Sequence, residues 1–384
     1  MAKQVILAVA GSGKTYHICH SINLQEKNLI LAYTHENLRN IRKELIDAND
    51  GHFPELTNVM TFDSFIYSYI VQPYEPTILS HFGYGGYYSN GITLKNPPSM
   101  RVKTKNGWRA NPRYHAKDSI DHYVTPGGYY YCATLAELIM EVKQGKVSLI
   151  KRVAEKMKNF YDKILVDEFQ DFREYDFDLI CGLAKYADNV VLVGDFYQHS
   201  VSASNNKGRP FQNRKEDVSY QDFISNLRRV GFSVDENLLL KSRRCSKAVC
   251  EFISLKLGIN IESQEINAGS VKWIDESQLV DILQNNGIVK LVYSKASDYT
   301  FKAVNWSYSK GDTLDEVCVI LTQDFEKLDC ANFSVANISQ STINKLYVAL
   351  SRTKGNLNLV KKSIFDKVKT NYEKTSSLNR IRLI

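Results

Sequence analysis

The sequence predicts an α/β protein built on parallel sheets. Three observations predict it. Short apolar runs recur along the chain (QVILAV, NLILAY, KILVDEF, NVVLVGD, GIVKLVYS, DEVCVILT and NLNLV), helical patterns lie between them, and the first run leads into a glycine-rich loop ending in Lys-Thr. Continuous apolar runs of this length suit strands covered on both faces. With 384 residues, 43% of them hydrophobic, the chain can bury at least two cores, so two main domains with an insertion are expected.

The first element in order is the loop AVAGSGKT, residues 8 to 15. Its glycines allow the backbone N–H groups of Ala10, Gly11, Ser12 and Gly13 to converge on phosphate oxygens, while Lys14 supplies positive charge and Thr15 a hydroxyl for Mg²⁺. The segment TYHICHSI that follows can start a helix, whose N-terminus would face the phosphates. Ala8 stands where the general pattern has its first glycine.

Between Val71 and Thr134 the texture changes. HFGYGGYYSNG, KNPPSM and VTPGGYYY are crowded with tyrosine, glycine and proline, and seven basic residues lie from Lys95 to Lys117 with no acid among them. This segment reads as an insertion. Tyrosines with a lysine and arginine groove suit sequence-tolerant binding of single strands, with Lys103, Lys105, Arg109 and Arg113 as phosphate contacts. The competing reading is a solvated loop over a small aromatic core. After the insertion, LAELIMEVKQGKVSLIKRVAEKMKNF carries one helical pattern back to a strand.

ILVDEFQDF is a strand that ends in two carboxylates. Asp167 can hold Mg²⁺ through water, and Glu168 can polarise a hydrolytic water. VVLVGDFYQ repeats the layout and places Gln198 to sense a γ-phosphate. A polar stretch from Lys207 to Asn237 is expected to bridge to a second α/β unit. Beyond it, LLLKSRRCS offers Arg244 and LYVALSRTKGNL offers Arg352, both able to stabilise charge that develops in phosphoryl transfer.

The bulk properties narrow the class. A net charge of +7 favours a polyanionic partner. Seven scattered cysteines without a CxxC pair fit reduced thiols rather than a zinc site. Cys245 and Cys250 are expected to be packed thiols, and His17 and His20 show no ligand grouping. No apolar stretch approaches the roughly eighteen residues of a membrane span, and no signal peptide is seen before the loop, so a soluble cytoplasmic protein with no membrane partner is expected.

Taken in order, AVAGSGKT, LAYTHEN, TFDSFI, LVDEFQDF, LVGDFYQ, LLLKSRRCS, SYSKGDTLDEV and LYVALSRTKGNL resemble motifs I, Ia, Ib and II to VI of superfamily 1 helicases, most closely a minimal form of the UvrD/Rep type. The resemblance implies two RecA-like domains with ATP and Mg²⁺ in the cleft between them and single-stranded nucleic acid across their top. It divides the chain into a first domain (1–70 with 135–232), the inserted subdomain (71–134) and a second domain (233–384). Lys14, Thr15, Asp167, Glu168, Gln198, Arg244 and Arg352 match the family's ATP-site positions, with Thr15 and Asp167 at the metal. Gly311 and Thr313, in the fifth motif, are implied to lie at the nucleotide.

Several positions depart from the family. Arg243 stands where a tyrosine usually stacks on adenine, and its guanidinium could stack instead. Tyr33 replaces a phenylalanine that contacts a base, with a buried core tyrosine as the plainer reading; Thr34 can reach a phosphate. Thr61 and Asp63 belong to motif Ib and are implied nucleic-acid contacts, although the family prefers histidine at position 63. Val201 and Ala203 replace base-stacking aromatics, and Thr313 replaces a glutamate. The family's adenine-reading glutamine lies well upstream of the loop and only seven residues precede Ala8, so selectivity for ATP over other nucleoside triphosphates is not implied. About sixty residues join motifs IV and V, where UvrD-type enzymes carry an extra helical domain.

The resemblance implies an ATP-dependent single-stranded DNA translocase or helicase. DEFQD and TFDSF favour 3′→5′ movement, whereas LDEV and ALSR resemble the branch that moves oppositely. Two alternatives stay open: a nucleotide sensor that regulates a partner such as a nuclease, and an RNA helicase of viral type. A self-dimer could supply grip that the minimal chain lacks, and the family's work in DNA repair or antiphage defence is a further expectation.

Overall fold

The computed structural model describes residues 2–86, 88–144, 147–199 and 218–381. They divide into two compact units. Those within 1–6, 15–194 and 202–235 form the first, and those within 7–14, 195–201 and 236–384 the second. The fold is α/β with parallel sheets.

One sheet has six strands in the order Ser233–Leu239, Ala2–Ala8, Asn189–Gly194, Lys163–Asp167, Asn28–Ala32 and Thr57–Thr61. The last four of these run parallel. Asn28–Ala32 is buried at every position, as are Ile164 to Asp167 and Val190 to Gly194. Strands covered on both faces have no solvent side to mark with polar residues, hence their continuous apolar runs. The register sets Thr61 opposite Ala32, Val166 opposite Leu31 and Asp167 opposite Val193. The carboxyl ends of these strands therefore share one edge, where α/β sheets present their ligand loops.

The other sheet has five parallel strands in the order Val271–Trp273, Leu357–Val360, Val317–Ile320, Val289–Val292 and Ala303–Asn305. Side chains alternate between two cores. Leu291, Val317, Val319, Leu357 and Leu359 pack with Trp306, Phe325 and Tyr347. Val292, Cys318, Ile320 and Val360 pack on the opposite face with Leu279, Leu283 and Phe365.

Three segments differ from the sequence reading. The helical pattern from Leu135 to Phe160 is broken: helices Leu135–Glu141 and Leu149–Met157 flank a short antiparallel pair, Lys143–Gln144 with Val147–Ser148. The described part of the polar bridge forms helix Tyr220–Arg229 and strand Ser233–Leu239, and that strand extends the six-stranded sheet, with the division between the two units falling within it at Asp235. Helix Gln72–His81 runs on from the π-helical stretch Ile66–Val71, so the irregular part of the insertion starts after His81 rather than at Val71. Val201 and Ala203 lie outside the described residues. Among the described residues, no helix is long and apolar enough to cross a membrane.

Candidate functional site

In the first unit, Asp167 ends a buried strand and Thr15 opens the second residue of helix Lys14–His20. The Thr15 hydroxyl Oγ1 donates to Asp167 Oδ2 at 3.2 Å. A hydroxyl and a carboxylate so close are a donor pair that a hard cation such as Mg²⁺ accepts, so these residues fit the metal that a phosphate loop implies. Glu168 follows with left-handed backbone, φ 53°, and its N–H donates to Asp167 Oδ1 at 2.9 Å. Its carboxylate Oε2 accepts from Gln170 Nε2. Gln170 is itself wedged against Gly194, where an added Cβ would also come within 2.7 Å of Phe169 Cδ1. A glycine is therefore required at 194 for Gln170 to reach Glu168. Sequence reading missed Gln170; the signal was its place within DEFQD.

The second unit includes loop residues 7–14. Gly11 and Gly13 have φ of 71° and 87°, the left-handed geometry that turns successive N–H groups inward. A Cβ at Gly11 would meet Arg244 Cβ at 2.6 Å. Arg243 N–H donates to Gly11 O at 2.8 Å, so its backbone supports the loop. Ala10 N–H donates to the Tyr347 hydroxyl at 2.8 Å, and that hydroxyl donates to Asp195 Oδ2 at 3.2 Å. Tyr347 is fully buried, and burial together with Asp195 keeps its phenol protonated. Tyr347 carries no signal in the sequence, because a buried tyrosine in an apolar helix reads as core, whereas Asp195 is legible as the acid that follows the strand in VVLVGDFYQ.

Arg244 donates through Nε to Thr313 Oγ1 at 2.9 Å and through Nη1 to Ser351 O at 3.2 Å. Arg352 is buried beside it, and burial, then the Arg244 charge, pushes its guanidinium down to about 10. The structure thus brings Gly11, Arg243, Arg244, Thr313 and Arg352 together. Gly311 has φ 97° in an open turn, and Gln198 is buried, its N–H on Asp195 O at 3.0 Å. Ser12 and Lys14 are buried.

A cavity of about 410 Å³ in the first unit is lined by Tyr33, Thr34, Thr61 and Asp63, with Arg173 among its other residues. Four nucleic-acid candidates thus meet at the ends of two neighbouring strands. Two have local structural roles as well. Thr34 caps helix His35–Asp47, accepting from Asn37 N–H at 3.1 Å, and Thr61 accepts from Ser64 N–H at 3.2 Å. Tyr33 is half-buried, 6.3 Å from the Phe172 ring, and burial pushes its phenol up to about 12. It is neither a fully buried core tyrosine nor an open platform.

Asp63 pairs with Arg173 Nη2 at 3.1 Å, while Arg173 holds Asp176 through Nε at 2.5 Å and Nη2 at 3.1 Å. Burial pushes the Asp63 carboxyl up to about 6; Arg173 opposes that rise and Asp176 adds to it. Arg173 was missed because an arginine beside an acidic motif carries no pattern of its own. A carboxyl raised in the folded state holds its proton up to about 6, so its contribution to stability is fully present only below the ordinary value of 3.8 and is lost as pH rises from there through about 6. Neutral Asp63 also leaves the cavity less negative beside Arg173. Polyanion affinity should therefore strengthen as pH falls through about 6, and Asp63→Asn should flatten that dependence and bind more tightly at neutral pH. Titration of a labelled oligonucleotide from about pH 5 to 7 measures it; an unaltered pH profile in the variant refutes it.

Lys103, Lys105, Arg109 and Arg113 are all exposed, the first three on or at the turn of hairpin Arg101–Thr104 with Gly107–Ala110. They are not among the residues lining the cavity. Leu94 and Cys132 of the insertion are.

Residues 2–204, more than half of the chain, match the family described as an AAA domain. The chain belongs to this AAA domain family. No curated protein matches it in sequence. Among solved structures it is similar to the PRRSV helicase, with 12% identity and a TM-score of 0.42 over 94% of this chain and 52% of that one. It is also similar to arterivirus nonstructural protein 10 (helicase) in a complex with DNA, with 13% identity and a TM-score of 0.43 over 95% and 63%. This AAA domain chain thus spans about half of the first and under two thirds of the second.

Proposed function

We propose that this AAA domain protein is an ATP-driven translocase or helicase on single-stranded nucleic acid, with DNA as the favoured strand and 3′→5′ as the direction. The observation that carries the reading is that neighbouring strands of one sheet present both chemistries on the same edge. Asp167, in contact with Thr15, ends one strand, and Tyr33 and Thr61 stand at the ends of the next two, around the cavity. Strand-end loops moved by the occupant of one site would move the other.

In this reading Lys14 and the loop N–H groups hold the phosphates, Thr15 and Asp167 hold Mg²⁺, Glu168 orients water, and Arg244 and Arg352 offset developing charge. The metal, when bound, neutralises charge on the phosphate oxygens. Tyr33 and Thr34 contact the strand. ATP hydrolysis should rise several-fold with oligothymidylate and less with oligouridylate. Stimulation by RNA in preference to DNA would move the protein to the RNA class, and hydrolysis indifferent to both would make it a nucleotide sensor. Strand displacement on 3′- and 5′-tailed duplexes tests direction.

A further inference from the structure

The basic insertion is two different things in the folded chain. Its residues Tyr123, Tyr130 and Tyr131 are buried, whereas the hairpin Arg101–Thr104 with Gly107–Ala110 is exposed at every position but Val102. The register pairs Lys103 with Trp108, Arg101 with Ala110 and Val102 with Arg109. Residues directly opposed in an antiparallel pair project from the same face, and faces alternate along each strand. Trp108, Lys103 and Arg101 therefore share one face, and Arg109 lies on the other.

Trp108 is 66% exposed, a large apolar ring kept in water with Lys103 directly opposite it and Arg101 diagonally across on the same face. The hairpin that holds it is preformed: Thr104 Oγ1 donates to Gly107 O at 2.8 Å across the turn, and Asn111 closes the base through N–H on Met100 O at 2.9 Å and Nδ2 on Ser99 O at 2.8 Å. Among the described residues, no ion pair engages Arg101 or Lys103, and no acid lies between positions 95 and 117.

We infer that this face is a stacking platform for one base of a single strand, with Lys103 and Arg101 beside it on the strand's phosphates. An acidic protein surface would satisfy the cations but leave the ring in water; a nucleotide strand offers both a flat apolar base for the ring and backbone phosphates for the cations beside it. The inference rests on the nucleic-acid reading above and adds the residue and the face.

The full chain has three tryptophans. Trp306 is buried and Trp273 half-buried, so quenching by an oligonucleotide reports chiefly on Trp108. Titration with oligothymidylate should quench tryptophan emission in the wild type and not in Trp108→Ala. Affinity, read from the anisotropy of a labelled oligonucleotide, should fall roughly 5- to 150-fold in Trp108→Ala and less in Trp108→Phe. Lys103→Ala should reduce the slope of log K against log salt by about 0.7, more than Arg109→Ala on the opposite face does. Tight binding with unchanged emission, together with full affinity in Trp108→Ala, overturns the platform and leaves the nucleic-acid reading standing. Equal slope losses in the Lys103 and Arg109 variants overturn the choice of face. A wild type that binds no oligonucleotide overturns both readings.

Discussion

Glu168→Gln is expected to bind ATP and scarcely turn it over, whereas Lys14→Ala is expected to fail at binding as well. Glutamine keeps the volume of residue 168 and leaves Thr15 and Asp167 untouched at 3.2 Å, so the metal and phosphate contacts persist. It loses the carboxylate that accepts a proton from water. General-base catalysis contributes roughly 10²- to 10⁴-fold, which sets the expected loss in turnover. The backbone supports placing the chemistry here, since Glu168 is one of four non-glycine residues with positive φ among those described. Such strain persists where the surroundings hold it, and Gln170 and Asp167 both hold Glu168.

Lys14→Ala instead removes a cation from a buried position. A charge-assisted hydrogen bond to phosphate contributes about 1.5–3 kcal/mol, so nucleotide affinity should fall roughly tenfold to 150-fold. Equilibrium binding of a fluorescent ATP analogue, beside phosphate release, separates the two variants. Near-wild-type hydrolysis in Glu168→Gln would remove that residue from the base role, and unaltered affinity in Lys14→Ala would do the same for the phosphate contact.

The buried strands were legible because burial on both faces leaves one continuous apolar run, as in Asn28–Ala32 and Lys163–Asp167. Thr57–Thr61 and Ser233–Leu239 lie at the two ends of the six-stranded order. Each keeps polar residues facing water, Asn58 in the first and Asn237 in the second, so neither presents such a run. The same physics divides the candidate site. Asp167, Tyr33 and Thr61 could be read from the sequence because parallel strands deliver their ends to one edge. Arg173, Gln170 and Tyr347 could not, since each acts through a partner distant in sequence or in a neighbouring turn: Asp63, Gly194 and Ala10 respectively. In the insertion, composition merged what the fold separates. Tyrosine and lysine content suggested one binding surface, but the three tyrosines named above pack inside while Trp108, which the count of tyrosines hid, stays outside.

Arg352→Met should cost activity far more than stability. Arg352 is 1% exposed. It donates to Val348 O at 2.9 Å, Ser309 O at 3.5 Å and Ser351 Oγ at 3.4 Å, none of them a carboxylate. Burial and Arg244 lower its pKa to about 10, while Cys245, Tyr347 and Asp195 offset part of that effect. A cation whose pKa is depressed by folding costs the fold at every pH below the folded value, and the cost is relieved only above it. Methionine of similar length removes that cost, and replacing buried charge by apolar volume is often neutral or stabilising. The melting temperature without nucleotide should therefore hold or rise. Turnover should fall by about 10³-fold or more, the range for an arginine that meets transferring phosphate. The same reasoning fixes the sign of a third quantity. Arg352 regains full stabilisation only opposite an anion, so ATP with Mg²⁺ should raise the melting temperature more in the wild type than in Arg352→Met. A variant that melts early without nucleotide would make Arg352 a structural residue, and one that keeps its turnover would leave Arg244 to offset the charge alone.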